Sequence, residues 1–274
     1  MKFYNYLAMN LKFVQNFAVN LAKKTGKILM DNSEKIEIVK FKDRQDIATN
    51  LDYKIEEIII KAIKKNFPGH NILSEEIGSI KTNKKSDYLW IIDPIDCTKH
   101  FIRKIPFFSI SIALQHKNKI VFGLVYNPAT KEMFYAQSNK GAYLNNKKIK
   151  VSCQNNLKNA FIYVELPVFN LASKEFIRYS KFLTKLNLSS YRLRVFGSGS
   201  LGLCYVAKGA FDAYVNLGNP TRIYDIAAGL IILREAAGKD SCLNGDLIKW
   251  KENSNLLVLA SNNIIYNKIL GLLK

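Results

Sequence analysis

Acidic residues are scarce. Against 41 Lys and Arg stand only 22 Asp and Glu, a formal charge of +19, which excludes an acidic-tail protein and favours anionic ligands. The four cysteines, Cys97, Cys153, Cys204 and Cys242, are widely spaced and form no C-x-x-C pair, so neither a disulfide framework nor a zinc site is indicated and the thiols are expected to be reduced. No uncharged apolar run has the length a membrane helix needs, and the N-terminus mixes Lys, Asn and apolar residues without a signal-peptide core. These absences point to a cytoplasmic protein that does not engage a membrane. Repeats and low-complexity segments are lacking too. The lysines are scattered in pairs (Lys23-Lys24, Lys64-Lys65, Lys84-Lys85, Lys147-Lys148) and are not interleaved with aromatics, so specific nucleic-acid binding is not expected from them.

What is present suits a folded enzyme-sized unit. Hydrophobic residues make up 48% of the chain, enough for a core shared by two packed halves. Apolar residues at Leu11, Val14, Phe17, Ala18, Leu21, Ala22 and Ile28 predict a packing helix over 10–30, and Leu51, Ile55, Ile58, Ile59 and Ile63 predict a second over 51–66. Strands are expected at 37–41, 72–73, 88–92, 108–114, 120–126, 132–137 and 141–144, with Lys117-Asn118-Lys119 and Asn145-Asn146 as hairpin turns. The stretch 78–87, rich in Lys, Ser and Asn, is expected to be a mobile surface loop. Beyond it the pattern changes to α/β: strands at 161–165, 191–196, 213–215 and 256–260, helices at 174–185, 201–208, 226–237 and 263–273. The expected boundary falls within 153–158, giving an N-terminal half 1–153 of two helices on a largely antiparallel sheet and a C-terminal α/β half 154–274.

Chemistry concentrates where apolar runs end. The run 88–92 is expected to stop at Pro94 and to deliver Asp93 and Asp96 to one point. Two close carboxylates raise each other's pKa unless a cation lies between them, and oxygen ligands favour a hard ion such as Mg²⁺. Taken alone, Asp93 and Asp96 could equally be turn formers or caps. Asp46 with Asp52, Glu75 with Glu76, and Asp225 at a helix start also sit at expected element ends. Open sheets place their ligand crevice at such ends, so the clustering favours a site.

The segment Trp90-Ile91-Ile92-Asp93-Pro94-Ile95-Asp96-Cys97-Thr98, with Phe101, resembles the W-[IV]-[IVL]-D-P-[IL]-D-G-T-x-x-F signature of the inositol monophosphatase superfamily. Three further segments are similar to motifs of that family in the same order: Asp46-Ile47-Ala48-Thr49-Asn50-Leu51-Asp52, Ser74-Glu75-Glu76, and Tyr224-Asp225-Ile226-Ala227-Ala228-Gly229. The resemblance covers roughly residues 10 to 265. It implies an α/β (α+β) fold, a layered αβαβα sandwich of the sugar-phosphatase type, that is usually a homodimer. It also implies Mg²⁺-dependent, Li⁺-sensitive hydrolysis of small anionic phosphate monoesters, with two or three ions bound. Carried over by residue, Glu75, Asp93 and the carbonyl of Ile95 would ligate one Mg²⁺, and Asp93, Asp96 and Asp225 a second. Thr98, assisted by Asp52, would orient a water whose proton Glu75 takes. The N–H groups of Cys97 and Thr98 would hold phosphate, and Gly197, Ser198, Gly199, Asn216 and Asp225 would face the substrate. By their own pattern, Gly197-Ser198-Gly199 could also be a plain flexible turn.

Departures from that pattern bear on turnover and specificity. Cys97 stands where the family has Gly, a costly exchange if the position needs positive φ. Lys99 is similar to the D-G-T-K of the related 3′(2′),5′-bisphosphate nucleotidases, and His100 and Asn216 also depart, many inositol phosphatases having a Glu in place of Asn216 that contacts a sugar hydroxyl. Segments 123–152 and 234–238 look more like the monophosphatase branch. Inositol 1-phosphate or a similar sugar phosphate is therefore the first-choice substrate. The alternatives are a bisphosphate nucleotidase, or a weakened relative acting as a regulatory or RNA-associated binding protein.

Overall fold

The computed structural model describes residues 10–43, 46–82, 86–166, 174–217, 221–248 and 258–273. Helix α1 (Leu11–Asp31) begins at Asn10, whose side chain accepts from the N–H groups of Lys12 and Phe13, and buries Val14, Ala18, Leu21 and Ala22 of the expected stripe, with Leu29 buried where Ile28 was expected and Phe17 and Ile28 only half-buried. Strands β1 (Ile38–Asp43) and β2 (Asp46–Thr49) form a small antiparallel sheet. Helix α2 (Asn50–Asn66) follows directly. Its N-terminus is closed reciprocally: the Thr49 side chain accepts from Leu51 and Asp52, and the Asp52 side chain accepts from the Thr49 N–H.

The next strands are β3 (Asn71–Ser74), β4 (Gly78–Ile80) and β5 (Tyr88–Asp96), then the short helix α3 (Thr98–Ile102), then β6 (Ser109–His116), β7 (Lys119–Asn127), β8 (Glu132–Gln137), β9 (Gly141–Leu144) and β10 (Lys147–Ile149). They make an eight-stranded sheet in the order β10-β9-β8-β7-β6-β5-β3-β4, antiparallel except where β3 runs parallel to β5. Lys117 and Asn118, and Asn145 and Asn146, all have positive φ, the left-handed pair a two-residue hairpin requires. Two expectations are corrected here. The stretch 78–87 is not all loop, because β4 pairs with β3 at the sheet edge. Nor does the central strand stop at Pro94: β5 continues to Asp96, taking the proline at a register shift between Asp93 and Asp96 where no ladder N–H is needed.

The second sheet is built from β11 (Phe161–Glu165), α4 (Lys174–Ser189), β12 (Arg192–Arg194), α5 (Gly199–Ala207), β13 (Ala213–Asn216), α6 (Ile223–Glu235), β14 (Lys239–Cys242), β15 (Val258–Ser261) and α7 (Asn263–Leu273). Its strand order is β12-β11-β13-β15-β14. The expected strand 191–196 shrinks to the three residues that pair with β11, and the helix expected at 226 starts at Ile223, which puts Asp225 inside its first turn.

Buried side chains sort the elements into layers. One cluster joins α1 and α2 to the large sheet through Leu21, Ile55, Ile59, Trp90 and Ile112. A second joins the other face of that sheet to α5, α6 and the small sheet through Ile91, Val125, Leu203, Ile231 and Tyr214. A third packs α4 and α7 on the outer face of the small sheet through Phe182, Val215 and Ile269. This is the expected αβαβα sandwich. Gly123 lets α6 lie directly on β7: a Cβ there would stand 2.5 Å from Ile231 Cγ2 and 2.7 Å from the Ala228 carbonyl oxygen.

Candidate active site

The end of β5 carries the first part of the site. At the register shift Asp93 turns inward and its Oδ1 accepts the Ile95 N–H at 3.0 Å. Asp93 and Asp96 are both buried. Cys97 then adopts φ 73°, ψ 49° and reverses the chain into α3, so the position does demand the left-handed conformation that Gly accepts more readily. Its Sγ lies 3.2 Å from the Gly197 carbonyl oxygen and 3.2 Å from His100 Nδ1. Because His100 Nδ1 is also 2.9 Å from the Phe107 carbonyl, which can only accept, that nitrogen carries the proton. Lys99 is exposed.

Thr98 opens α3 with its hydroxyl 2.9 Å from Asp52 Oδ1 and 3.0 Å from the Ile95 carbonyl oxygen. Burial pushes the Asp52 carboxyl above its ordinary value, while hydrogen bonds from Thr49 and Thr98 oppose that shift. Glu75 arrives from the turn after β3. It meets Lys42 of β1, whose Nζ lies 2.7 Å from Glu75 Oε1 and 2.5 Å from Glu76 Oε1. Burial raises the Glu75 carboxyl to about 7 even so.

The second half supplies the opposite wall. Ser198 caps α5 and donates its hydroxyl to Asp96 Oδ2 at 2.5 Å, and the Ser200 N–H reaches the same oxygen at 3.2 Å. Tyr163 Oη accepts the Ser198 N–H and donates to its carbonyl, so the loop 197–200 is a fixed cap rather than a flexible turn. Burial raises Asp96 to about 6 against these hydrogen bonds. Asp225 accepts the Arg222 N–H at 2.7 Å, and its own carbonyl accepts the Ser200 hydroxyl at 2.7 Å. Gly199 fits close beneath, where a Cβ would stand 3.2 Å from the Asp225 carbonyl oxygen. Asn216 ends β13 in register with Glu165, and its amide donates to the Thr221 hydroxyl.

These carboxylates sense one another. Asp93 is held well above its ordinary value by burial first, then by Glu75, Asp96 and Asp225. Among the described residues no three acidic, His or Cys side chains are already gathered as a closed metal cage: Glu75 is shared between Lys42 and Asp93, and Asp96 is turned to Ser198. The donor set nevertheless fits a hard divalent cation. It is made of anionic oxygens, and the repulsion that drives Asp93 toward its protonated form is what such an ion would relieve. Sequence reasoning missed Lys42, Ser200 and Tyr163, none of which lies in an acidic motif.

The whole described chain matches one family model, "Inositol monophosphatase family", over residues 10–273. A Vibrio cholerae protein named Nus factor SuhB is 37% identical over 224 residues, covering 81% of this chain and 82% of that one. A Thermotoga maritima protein named fructose-1,6-bisphosphatase/inositol-1-monophosphatase is 33% identical over 260 residues, 93% of each. The crystal structure of the extragenic suppressor protein suhB from Bartonella henselae superposes with a TM-score of 0.87 at 30% identity, over 95% of this chain and 98% of that one. The chain belongs to the inositol monophosphatase family.

Proposed function

We propose that this protein is a Mg²⁺-dependent phosphatase of small anionic phosphate monoesters, with inositol 1-phosphate or a similar sugar phosphate as substrate. The observation that carries this reading is the convergence of Glu75, Asp96 and Asp225 on the buried Asp93. Glu75, Asp93, the Ile95 carbonyl, Asp96 and Asp225 would hold two or three Mg²⁺ ions, with Asp93 shared. When bound, the ions acidify a water and offset charge at the phosphoryl oxygens. Asp52 takes the Thr98 O–H as donor, which leaves the Thr98 oxygen free to accept a hydrogen bond from the attacking water. Glu75 would accept that water's proton as general base. The N–H groups of Cys97 and Thr98 orient the phosphate, and Gly197, Ser198, Gly199, Asn216 and Asp225 line the rest of the substrate. A homodimer in the cytoplasm completes the reading; no helix among the described residues is long and apolar enough to cross a membrane.

A second reading has its own support: relatives are named as Nus factors and the chain carries +19, both of which suit a regulatory or RNA-associated binding role. A phosphate-release panel separates the two. Inositol 1-phosphate, fructose 1,6-bisphosphate and a 3′,5′-bisphosphonucleotide are offered with Mg²⁺, with chelator and with Li⁺. Mg²⁺-dependent, Li⁺-sensitive release from the sugar phosphates is expected. A nucleotide preference that Lys99→Ala removes would move the protein to the nucleotidase branch, and no release from any substrate would favour the binding role.

A further inference from the structure

Helix α2 turns one buried face toward the site, and two carboxylates stand on it one turn apart. Asp52 and Glu56 both have no exposed surface, and their i, i+4 spacing puts them on one stripe. Asp52 reaches the loop after β5 through Thr98. Glu56 reaches the other acidic loop, the turn after β3. Its Oε1 accepts from the Ser74 hydroxyl, from the Glu76 N–H at 3.0 Å and from the Ile77 N–H at 3.3 Å. The residue before Glu75 and the two after it are thus tied to a single oxygen. The other oxygen, Oε2, is buried without a hydrogen-bond partner.

That asymmetry argues against a role in general stability. A buried carboxylate with one unpaired oxygen is an expensive group, and a glutamine or an apolar residue would suit the interior better. What Glu56 provides in return is local, since every hydrogen bond recorded to its side chain goes to the turn that presents Glu75. We infer that Glu56 is a positioning residue, fixing the 74–77 turn so that Glu75 faces Asp93 rather than the solvent. The inference rests on the reading of Glu75 as a metal ligand and adds the group that sets its geometry. α2 then acts as a common ruler for both acidic loops, with Asp52 setting one and Glu56 the other.

The test compares Glu56→Gln with Glu56→Ala. Glutamine keeps a carbonyl oxygen for the three donors and puts an amide where the unpaired oxygen lies; alanine removes the acceptor. Mg²⁺ affinity is measured by titration calorimetry well below the thermal midpoint of each protein, alongside hydrogen exchange at the Glu76 and Ile77 amides. Glu56→Ala is expected to bind Mg²⁺ about 10- to 100-fold more weakly, the usual effect of losing a group that orients a metal ligand, and to exchange faster at both amides. Glu56→Gln is expected to stay within about threefold of the parent. Ser74→Ala, which removes one donor and no carboxylate, carries the same test should the alanine variant not fold, with Mg²⁺ bound about three- to tenfold more weakly. A folded Glu56→Ala or Ser74→Ala with the parent's affinity would overturn the inference and leave the metal reading standing. Equal losses in the Gln and Ala variants would overturn it as well, by assigning the effect to charge. A parent that takes up no Mg²⁺ would overturn the metal reading and this inference together.

Discussion

Lys42 and Glu75 form a hydrogen-bonded ion pair, Nζ to Oε1 at 2.7 Å, at the mouth of the acidic site. The same ammonium reaches Glu76 at 2.5 Å, so a cation from the small β1–β2 sheet already neutralises part of the cluster. A divalent ion ligated by Glu75 has to compete with it. Replacing Lys42 by methionine keeps the stem and deletes the charge. The metal-free variant should melt below the parent, because breaking a half-buried pair leaves its carboxylates uncompensated. Its Mg²⁺ affinity should rise by roughly three- to tenfold, the equivalent of about 1 kcal/mol of lost competition. Scanning calorimetry and Mg²⁺ titration of both proteins check the two halves separately, and an unchanged Mg²⁺ affinity would show that Lys42 does not compete.

Cys97 holds a left-handed conformation, φ 73° and ψ 49°, which costs a side-chain-bearing residue about 1 kcal/mol or more. Cys97→Gly should relieve that strain, let the backbone approach phosphate more closely, and raise kcat by up to about fivefold, the rate equivalent of about 1 kcal/mol. Cys97→Ala retains Cβ and should give no such gain. Steady-state kinetics of the three proteins at saturating Mg²⁺ decide the matter. A lower kcat for the glycine variant would mean that the thiol contacts with Gly197 and His100 matter more than the strain.

Metal-free stability should depend on pH in two opposed ways. Burial raises Glu75 from 4.5 to about 7, Glu165 from 4.5 to about 8 and Asp96 from 3.8 to about 6. A carboxyl that holds its proton more tightly when folded stabilises the fold below its ordinary value and loses that contribution as pH climbs through the raised one. His70 has the other sign. Burial lowers it from 6.5 to about 4, so its contribution is present above pH 6.5 and lost as pH falls toward 4. Between pH 6.5 and pH 8 only the carboxyls remain, and the Tm of the metal-free protein should fall. Saturating Mg²⁺ should raise Tm most at the alkaline end, since it binds the deprotonated cluster. A metal-free Tm that rises over that interval would contradict the assignment.

Much of this architecture was legible from patterns that sequence and structure share. The strands expected at 132–137 and 141–144 became β8 and β9 with those bounds, and Asn145 and Asn146 supply the two left-handed residues of the hairpin that leads from β9 into β10. The acidic motifs could be placed at element ends for the same reason: apolar runs announce strands, and strands end where polarity returns. Pro94 misled because a proline signals a strand end unless a bulge removes the need for its N–H, and bulges leave no periodic trace. Lys42 was hidden among 41 basic residues, with nothing local to show which one folds back on Glu75. Glu56 did leave a signal, since it follows Asp52 by four on the stripe marked by Leu51, Ile55, Ile59 and Ile63. An acid on an apolar face is informative only when a partner for it can be named, and its partners are the Ser74 hydroxyl and two backbone N–H groups, eighteen to twenty-one positions away.

Asp93 is the carboxylate toward which Glu75, Asp96 and Asp225 are drawn together. Asp93→Asn is nearly isosteric and keeps an oxygen to accept the Ile95 N–H, so the fold should survive. The direct measurement is Mg²⁺-dependent phosphate release from inositol 1-phosphate by the parent and by Asp93→Asn, with circular dichroism to verify folding. Release by the parent and a loss of at least about 10³-fold in the folded variant are expected, as for removal of a ligand shared between catalytic ions. A folded Asp93→Asn protein that releases phosphate at the parent's rate would contradict the central claim.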